Sequence, residues 1–364
     1  MQKLKRKNKD NISLFFLNTP INLRQNDITF AHIIPQQTEL RLADKIRTSY
    51  NIPVDTLHFN TMNMLLFGGS GRTGQIVHRF ATAAGWQVTA PSHHECDLLC
   101  TEEVSDFVLN SGAQAVVNCA AISGLEACMD DPLSAHLINA VAPATMALAC
   151  RHTGARFVHL STDYVLEGHK AGLKEEHSRC KPINTYGESK REGELQVAEA
   201  LSSALVLRVS WICGNPHKPS FVENCIAGAL SGRPLSAIAD KYSLPTDAED
   251  IARAILDLLP LSVSGVLHLC SGGEPLSWRD CAHIALQSLV STSALPCCPE
   301  IAAQKLAEAR FFRAERPRHT AMSNQKLLSL GIRMPSAVET LRTVALRYLN
   351  FLQQQQVITS TSQE

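Results

Sequence analysis

No charge of either sign is in excess: lysine plus arginine total 34 and aspartate plus glutamate total 34. That balance provides no field to gather the chain onto nucleic acid or an acidic membrane surface, so neither is expected as a partner. No uninterrupted apolar run approaches the ~20 residues a spanning helix needs. Aromatic residues are scarce at 5%, while the apolar share of 45% is ordinary for a globular protein; 364 residues suffice for a large core with an appended lobe. The 12 cysteines do not form a disulfide framework but are scattered through predicted strands and helices, as at Cys119, Cys150, Cys225 and Cys270. Buried free thiols in a reducing compartment are the expected state, and a cytoplasmic location the default. His93-His94-x-Cys96-x-x-x-Cys100 lacks the two clear ligand pairs of a zinc site, so no metal is expected there.

Residues 1–61 lack both cysteine and any sustained helical or strand period. They open on a basic stretch, Met1 to Lys9, followed by a short apolar patch from Ile12 to Leu17. The patch is too short for a signal peptide, and serine and arginine are too sparse for a good transit peptide. This segment is expected to stand outside the folded core, with Met62 or Met64 as the natural start.

From Met64 onward strand and helix alternate. Short apolar strands are predicted at Met64–Phe67, Trp86–Ala90, Ala115–Asn118, Arg156–Leu160 and Leu205–Val209. Helices are predicted at Thr73–Ala84, Glu102–Asn110, Pro132–Arg151 and Thr185–Leu201. Alternation at this spacing implies an α/β fold, a Rossmann-type doubly wound parallel sheet. After Trp211 the pattern loosens into helices with occasional strands, Leu235–Ala239 and Gly265–Leu269 among them. The expected organisation is a core over 62–211, a smaller C-terminal substrate-binding lobe over 212–350 interleaved with the last sheet strands, and a frayed tail over 351–364.

Gly68-Gly-Ser-Gly71-Arg72-Thr73-Gly74 follows the first strand and opens a helix. Glycines there permit a tight turn and close approach of backbone to a pyrophosphate, whose charge then sits at a helix N-terminus. A nicotinamide dinucleotide is the expected ligand. An NAD-preferring site places an acid at the end of the second strand. This chain has Ala90-Pro-Ser-His93-His94 there, with Arg72 inside the loop, so the expectation leans to NADPH and leaves NADH open.

Thr162 follows the predicted strand ending at Leu160, and open α/β sheets bind ligands at such carboxyl ends. Tyr186 and Lys190, at i and i+4 on a predicted helix, share one face. A free phenol, with a pKa near ~10, is a poor proton donor or acceptor at neutral pH. An ammonium beside it is expected to lower that value toward the working range. Thr162 can then hold a substrate oxygen near Tyr186 while the nicotinamide supplies hydride.

These motifs, in this order, resemble the extended short-chain dehydrogenases/reductases, and most closely the dTDP-4-dehydrorhamnose reductase family of nucleotide-sugar reductases. The likeness runs from Met64 to about Leu346. It includes Val116 to Ala121, Ser161 to Gly168, Pro182 to Lys190, Leu207 to Trp211, Ser243 to Thr246, Asp250 to Ala252, Gly265 to Leu269 and Arg316-Pro317. The resemblance implies that Thr162, Tyr186 and Lys190 are catalytic, with Lys190 also holding the nicotinamide ribose. It implies cofactor contacts from Gly68, Gly71, Arg72, Thr73, Gly74, His93, Asp97, Leu98, Ala120, Ala121, Ser123, Asn139, Tyr186 and Lys190, Asn139 lying in the helix behind the site. Tyr164 stands where related dehydratases carry an acid, which favours reduction of a nucleotide-linked keto-sugar over dehydration.

Three departures from the family pattern concern the substrate. Ile122-Ser-Gly-Leu-Glu126 replaces a Thr-x-Val-Asp segment, Leu166 a phenylalanine and Glu167 an aspartate. Two further readings stay open: an epimerase, and a non-catalytic nucleotide-binding subunit like the regulatory β subunit of methionine adenosyltransferase. A homodimer is left open as the assembly.

Overall fold

Six short apolar stretches pair edge to edge into one parallel sheet. They are β1 (Asn63–Phe67), β2 (Gln87–Thr89), β3 (Ala115–Asn118), β4 (Arg156–Thr162), β5 (Leu205–Val209) and β6 (Gly265–Leu269). The spatial order is β6-β5-β4-β3-β1-β2. The computed structural model describes residues 62–361, with side chains as far as Gln355. The segment through residue 61, expected to stand outside the core, lies outside the described residues, as do residues 362–364.

The register sets Met64 beside Ala115, Val117 beside Val158 and Leu160 beside Leu207. All four residues of β3 and all five of β5 are buried. Burial on both faces is why these strands read as continuous apolar runs rather than as alternation. β4 runs two residues further than its apolar content suggests, so Ser161 and Thr162 are its last members. Backbone pairing continues through polar residues once the neighbouring strand is in place: Thr162 pairs with Val209.

Helices cover both faces. On one side α1 (Arg72–Ala83) lays Ile76, Val77 and Ala81 against Met64, Leu66 and Val117. On the other, α2 (Thr101–Asn110), α4 (Pro132–Thr153) and α5 (Thr185–Ala200) cover Leu65, Phe67, Val116 and Phe157. Each fully buried leucine or valine here contributes roughly 1.5–3 kcal/mol. A short helix, α3 (Leu125–Asp130), precedes α4 and has no counterpart in the sequence-based expectations.

α4 has the length and apolarity to cross a membrane, although its run is not uninterrupted, and half of its most apolar window is buried in the protein. Ala142, Met146 and Cys150 are part of the core beneath the sheet, which is how a core helix comes to look this way. A π turn at Leu137–Val141 interrupts it, and Gly154 in the left-handed conformation (φ 76°) ends it.

Beyond β5, α6 (Phe221–Leu230), α8 (Trp278–Ser291) and α10 (Ala337–Thr361) pack on one another through Ile226, Leu286 and Leu341. Interleaved with them, α7 (Ala248–Leu258) and α9 (Gln325–Ser329) return to the sheet, on the face that α1 covers. α10 runs as far as Thr361, and the last three residues of the expected tail lie outside the described residues. All described residues belong to a single compact unit.

Candidate active site

The chain passes from β1 outward to β2 and then back across to β3, so strand order reverses between β1 and β3. A crevice opens at the carboxyl end of such a reversal. The glycine turn occupies it. Gly68 has φ +77°, and a Cβ there would lie 2.6 Å from the Ala120 backbone nitrogen. A Cβ on Gly74 would collide with the Gly68 carbonyl. These two glycines are therefore required by the fold of the turn. Gly71 N–H donates to Gly68 O at 2.9 Å, and Gly71 is the N-cap of α1. No acid lies in the first turn of α1, so its N-terminus keeps its affinity for an anion.

Arg72 reaches away from the β2 end. Its guanidinium donates to the carbonyls of Lys218 (2.9 Å) and Pro219 (3.3 Å). Asn215, absent from the sequence-based candidates, donates to Arg72 O (2.8 Å) and Gln75 Oε1 (3.0 Å), tying this loop to the start of α1. His93 is exposed beyond β2. Glu95, the nearest acid in the sequence, is exposed and accepts from Ser92 N and Oγ, each at 2.8 Å. Asp97 is exposed and caps the Leu99 N–H, whereas Leu98 is buried in the core beside Phe67. Ala120, Ala121 and Ser123 follow β3 and are open to partly open.

Asn139 is wholly buried in the π turn of α4. Its amide exchanges two hydrogen bonds with the backbone of Ile122, both 2.9 Å, and donates to Ser189 Oγ at 3.0 Å. The amide braces the loop after β3 against α5.

Thr162 ends β4, while Tyr186 and Lys190 rise from the first turns of α5, which Asn184 caps through Gly187 N–H (2.8 Å). The Thr162 side chain acts on the Tyr186 phenol, and its own Oγ1 donates to Asp163 at 3.2 Å. Lys190 is fully buried, and its Nζ donates to Leu160 O at 2.6 Å and lies 3.2 Å from His159 Nε2. One expectation is overturned here. Burial pushes the Tyr186 phenol up, and Thr162, rather than Lys190, is the influence that opposes it. The reason is geometric: the ammonium has turned toward β4. Burial likewise holds Lys190 down to about 8, with Glu194 opposing.

Several buried polar residues around this group were not singled out in advance. Asp163 accepts from Thr162 Oγ1 (3.2 Å) and Ser210 Oγ (3.0 Å). Burial raises its carboxyl and Lys241 counteracts. Lys241 stands 5.0 Å above the Tyr164 ring and donates to Pro317 O at 2.8 Å. The Tyr164 ring meets Tyr186 edge to face at 5.8 Å. Deeper, Arg208 grips Glu194 through two bonds of 2.7 and 2.8 Å, and Ser161 donates to the same carboxylate at 2.6 Å. A sequence signal for these existed. Arg208 and His159 are polar residues in the middle of strands that are otherwise apolar, and such positions are filled only when partnered.

Beyond the end of β5, Trp211 adopts a left-handed conformation (φ 32°) that no glycine relieves. Its ring stacks on Trp278 at 5.2 Å and tilts on Phe221 at 5.6 Å. Phe312 meets Trp278 edge-on at 6.0 Å and carries the Arg316 guanidinium 3.6 Å from its centroid. Arg316 also pairs with Glu126 of α3 at 2.9 Å. Glu126, one of the departures from the family pattern, thus joins the loop after β3 to the C-terminal lobe.

A glycine turn at the strand-order reversal, a strand-end threonine and a tyrosine–lysine pair on the following helix define a dinucleotide-binding Rossmann protein of the short-chain dehydrogenase/reductase type. The family model described as RmlD substrate binding domain matches residues 62–349, and the chain belongs to that family. A dTDP-4-dehydrorhamnose reductase of Burkholderia thailandensis is 30% identical over 75% of this chain and 95% of its own. Among solved structures, a dTDP-4-dehydrorhamnose reductase of Clostridium acetobutylicum matches with TM-score 0.72 and 26% identity, over 80% of this chain and 100% of that one. The fold also matches, at TM-score 0.72 and 24% identity, a dTDP-4-dehydrorhamnose reductase of Bacillus anthracis solved in complex with NADP, over 79% of this chain and 99% of that one.

Proposed function

We propose that the protein is an NADPH-dependent reductase of a nucleotide-linked 4-keto-deoxysugar. The observation that carries this reading is the placement of Thr162 at the end of β4, with Tyr186 in the first turn of α5 and Lys190 one turn further along. The turn suits a dinucleotide because it sets a helix N-terminus with no acid in its first turn at the strand-order reversal. Gly68, Gly71, Thr73 and Gly74 hold the pyrophosphate, with Ala120, Ala121 and Ser123 along the channel. Glu95 is consumed within its own loop, which supports NADPH over NADH. When bound, the cofactor supplies hydride to the keto carbon. Thr162 hydrogen-bonds the keto oxygen, Tyr186 delivers the proton to it, and Lys190 holds the nicotinamide ribose. Residues 62–211 serve as the cofactor-binding core and 212–350 as the substrate lobe. The free thiols support a reducing, cytoplasmic setting.

The test is NADPH oxidation, followed by absorbance, over a panel of nucleotide 4-ketosugars, with Tyr186→Phe beside the wild type. Turnover by the wild type alone is the expected result. Tight NADPH binding with no turnover on any member would replace the reductase with a cofactor-binding regulatory subunit.

A further inference from the structure

Residues 306–318 leave one carboxylate and return to it. Asp240 Oδ1 accepts from the Leu306 N–H at 2.7 Å, and its Oδ2 accepts from Arg318 Nη2 at 2.6 Å. A loop whose two ends are pinned together has the form of an Ω loop, and such loops are frequently functional. Little apolar packing holds the body of this one. Phe311 is 65% exposed, and none of residues 309–317 joins the buried apolar clusters of the described residues. Its apolar anchors are Phe312 against Trp278 and Pro317 against Gly168.

Polar contacts fasten that body to the elements of the site. Asn184, which caps α5, donates from Nδ2 to Glu315 O at 2.8 Å. Arg313 pairs with Asp130 of α3 at 2.6 Å, and Arg316 with Glu126 of the same helix at 2.9 Å. The two ion pairs are not equal. That of Arg313 is more than half exposed on both sides, where such pairs contribute little. The Arg316 side chain is only 9% exposed and does three things at once. Its Nη1 donates to Ala314 O at 2.8 Å, its guanidinium lies 3.6 Å from the Phe312 centroid, and its Nη2 reaches Glu126. One group thus folds the loop on itself and ties it to α3. Taking Glu126 away strands a largely buried cation, which favours the released loop.

The loop lies against the residues that would meet a substrate. Pro317 O accepts from Lys241, which stands above the Tyr164 ring, and that ring meets Tyr186. Asn184 caps the helix that carries Tyr186. Thr162 is only 5% exposed, so a nucleotide-linked sugar brings its keto oxygen there only when part of the rim gives way. A rim segment held by polar contacts more than by apolar burial is the part that opens at least cost. We infer that residues 306–318 are a gate over the substrate end of the site, hinged on Asp240 and latched by Arg316 on Glu126. The gate deepens the reductase reading and rests on it for what passes through.

The first test needs no substrate. Trypsin acts on the full-length native protein, and mass spectrometry follows cleavage of the bond after Arg313, which leads into the buried Ala314. Its rate tracks the open fraction of the loop. Glu126→Ala is expected to speed cleavage about tenfold, and the isosteric Glu126→Gln by less, since an amide oxygen still accepts from Arg316. Asp130→Ala, which breaks the exposed pair on the same helix, should change it about twofold or less. The second test is kinetic. With NADP⁺ bound, the panel ketosugar of highest kcat/KM is mixed with protein and followed by tryptophan fluorescence. Glu126→Ala should raise its association and dissociation rates together, each about tenfold, with affinity near that of the wild type, because the latch is made in the closed form whether free or occupied. Equal cleavage of Glu126→Ala and Asp130→Ala, or no acceleration in either, overturns the gate. So does a Glu126→Ala that binds more weakly at an unchanged association rate, which makes Glu126 a substrate contact instead. Absence of turnover on every ketosugar strikes the reductase reading, and the cleavage rates then decide the gate by themselves.

Discussion

The two ends of the site are built from different materials. At the β1–α1 end the parts are backbone and small residues: a glycine at φ +77°, a second that admits no Cβ, and a helix N-terminus free of acids. At the β4–α5 end the parts are charged and polar side chains withdrawn from water, with Lys190, His159, Asp163, Glu194, Arg208 and Lys241 all buried. In the proposed reductase the first end recognises a feature every dinucleotide shares, so geometry suffices. The second, in that same reading, moves a proton, so its groups are held where burial and neighbours set their charge. One end tolerates no added volume; the other tolerates no lost partner.

The contrast can be tested in four places, from the largest expected effect to the smallest. Tyr186→Phe removes the proton donor and is expected to lower kcat by about 100- to 10,000-fold, while circular dichroism and NADPH binding stay as in the wild type. Arg208→Leu leaves a buried carboxylate uncompensated and should cost about 3–5 kcal/mol in urea unfolding, most of it regained when Glu194→Leu is added. If the single variant unfolded like the wild type, the polar end would not depend on its partners.

Gly68→Ala attacks the other end. Its Cβ meets the Ala120 backbone and strains a positive φ, so about 1–3 kcal/mol is expected to be lost, with weaker NADPH binding in a fluorescence titration. At the rim, Arg313→Ala breaks an ion pair with Asp130 that lies more than half exposed on both sides, and no change in melting temperature is expected.

Glu194 adds a pH dependence to the second of these. Burial would raise its carboxyl, but the bonds and charge of Arg208, helped by Ser161 and Arg191, outweigh burial and hold it below the usual range. A carboxyl depressed in the folded state contributes stability above its unfolded value of about 4.3 and loses it as pH falls through the folded value. The stability gap between wild type and Glu194→Gln should therefore be full at pH 7 and shrink on acidification below about pH 4. A gap constant with pH would assign the effect to packing alone.

The same contrast explains what could be read without a structure. The glycine turn, the Tyr186–Lys190 spacing and the strands Ala115–Asn118 and Leu205–Val209 are local patterns, legible because neighbours in sequence are neighbours in space. The polar end depends on contacts between distant residues: Asn118 with His159, Ser161 with Glu194, Glu126 with Arg316. Nothing in their local spacing pairs them. The direction of Lys190 was missed for that reason, since helix periodicity fixes the face it leaves but not that β4 offers a carbonyl and an imidazole to receive it. Arg72 likewise turned to carbonyls at Lys218 and Pro219, residues far along the chain.

The π turn in α4 has a consequence for how this chain tolerates length changes. A π turn holds one residue more than the regular helix it interrupts, and each residue of an α-helix turns the next by about 100°. Asn139 sits within that surplus, aimed at the backbone of Ile122. Deleting one residue from Leu137–Val141 would leave a more regular helix and a better score on any scale of helical propensity. It would also rotate one flank against the other, so that either Asn139 leaves Ile122 or the face bearing Met146 and Cys150 leaves the core. Along this helix, the irregular count is the one that is in register.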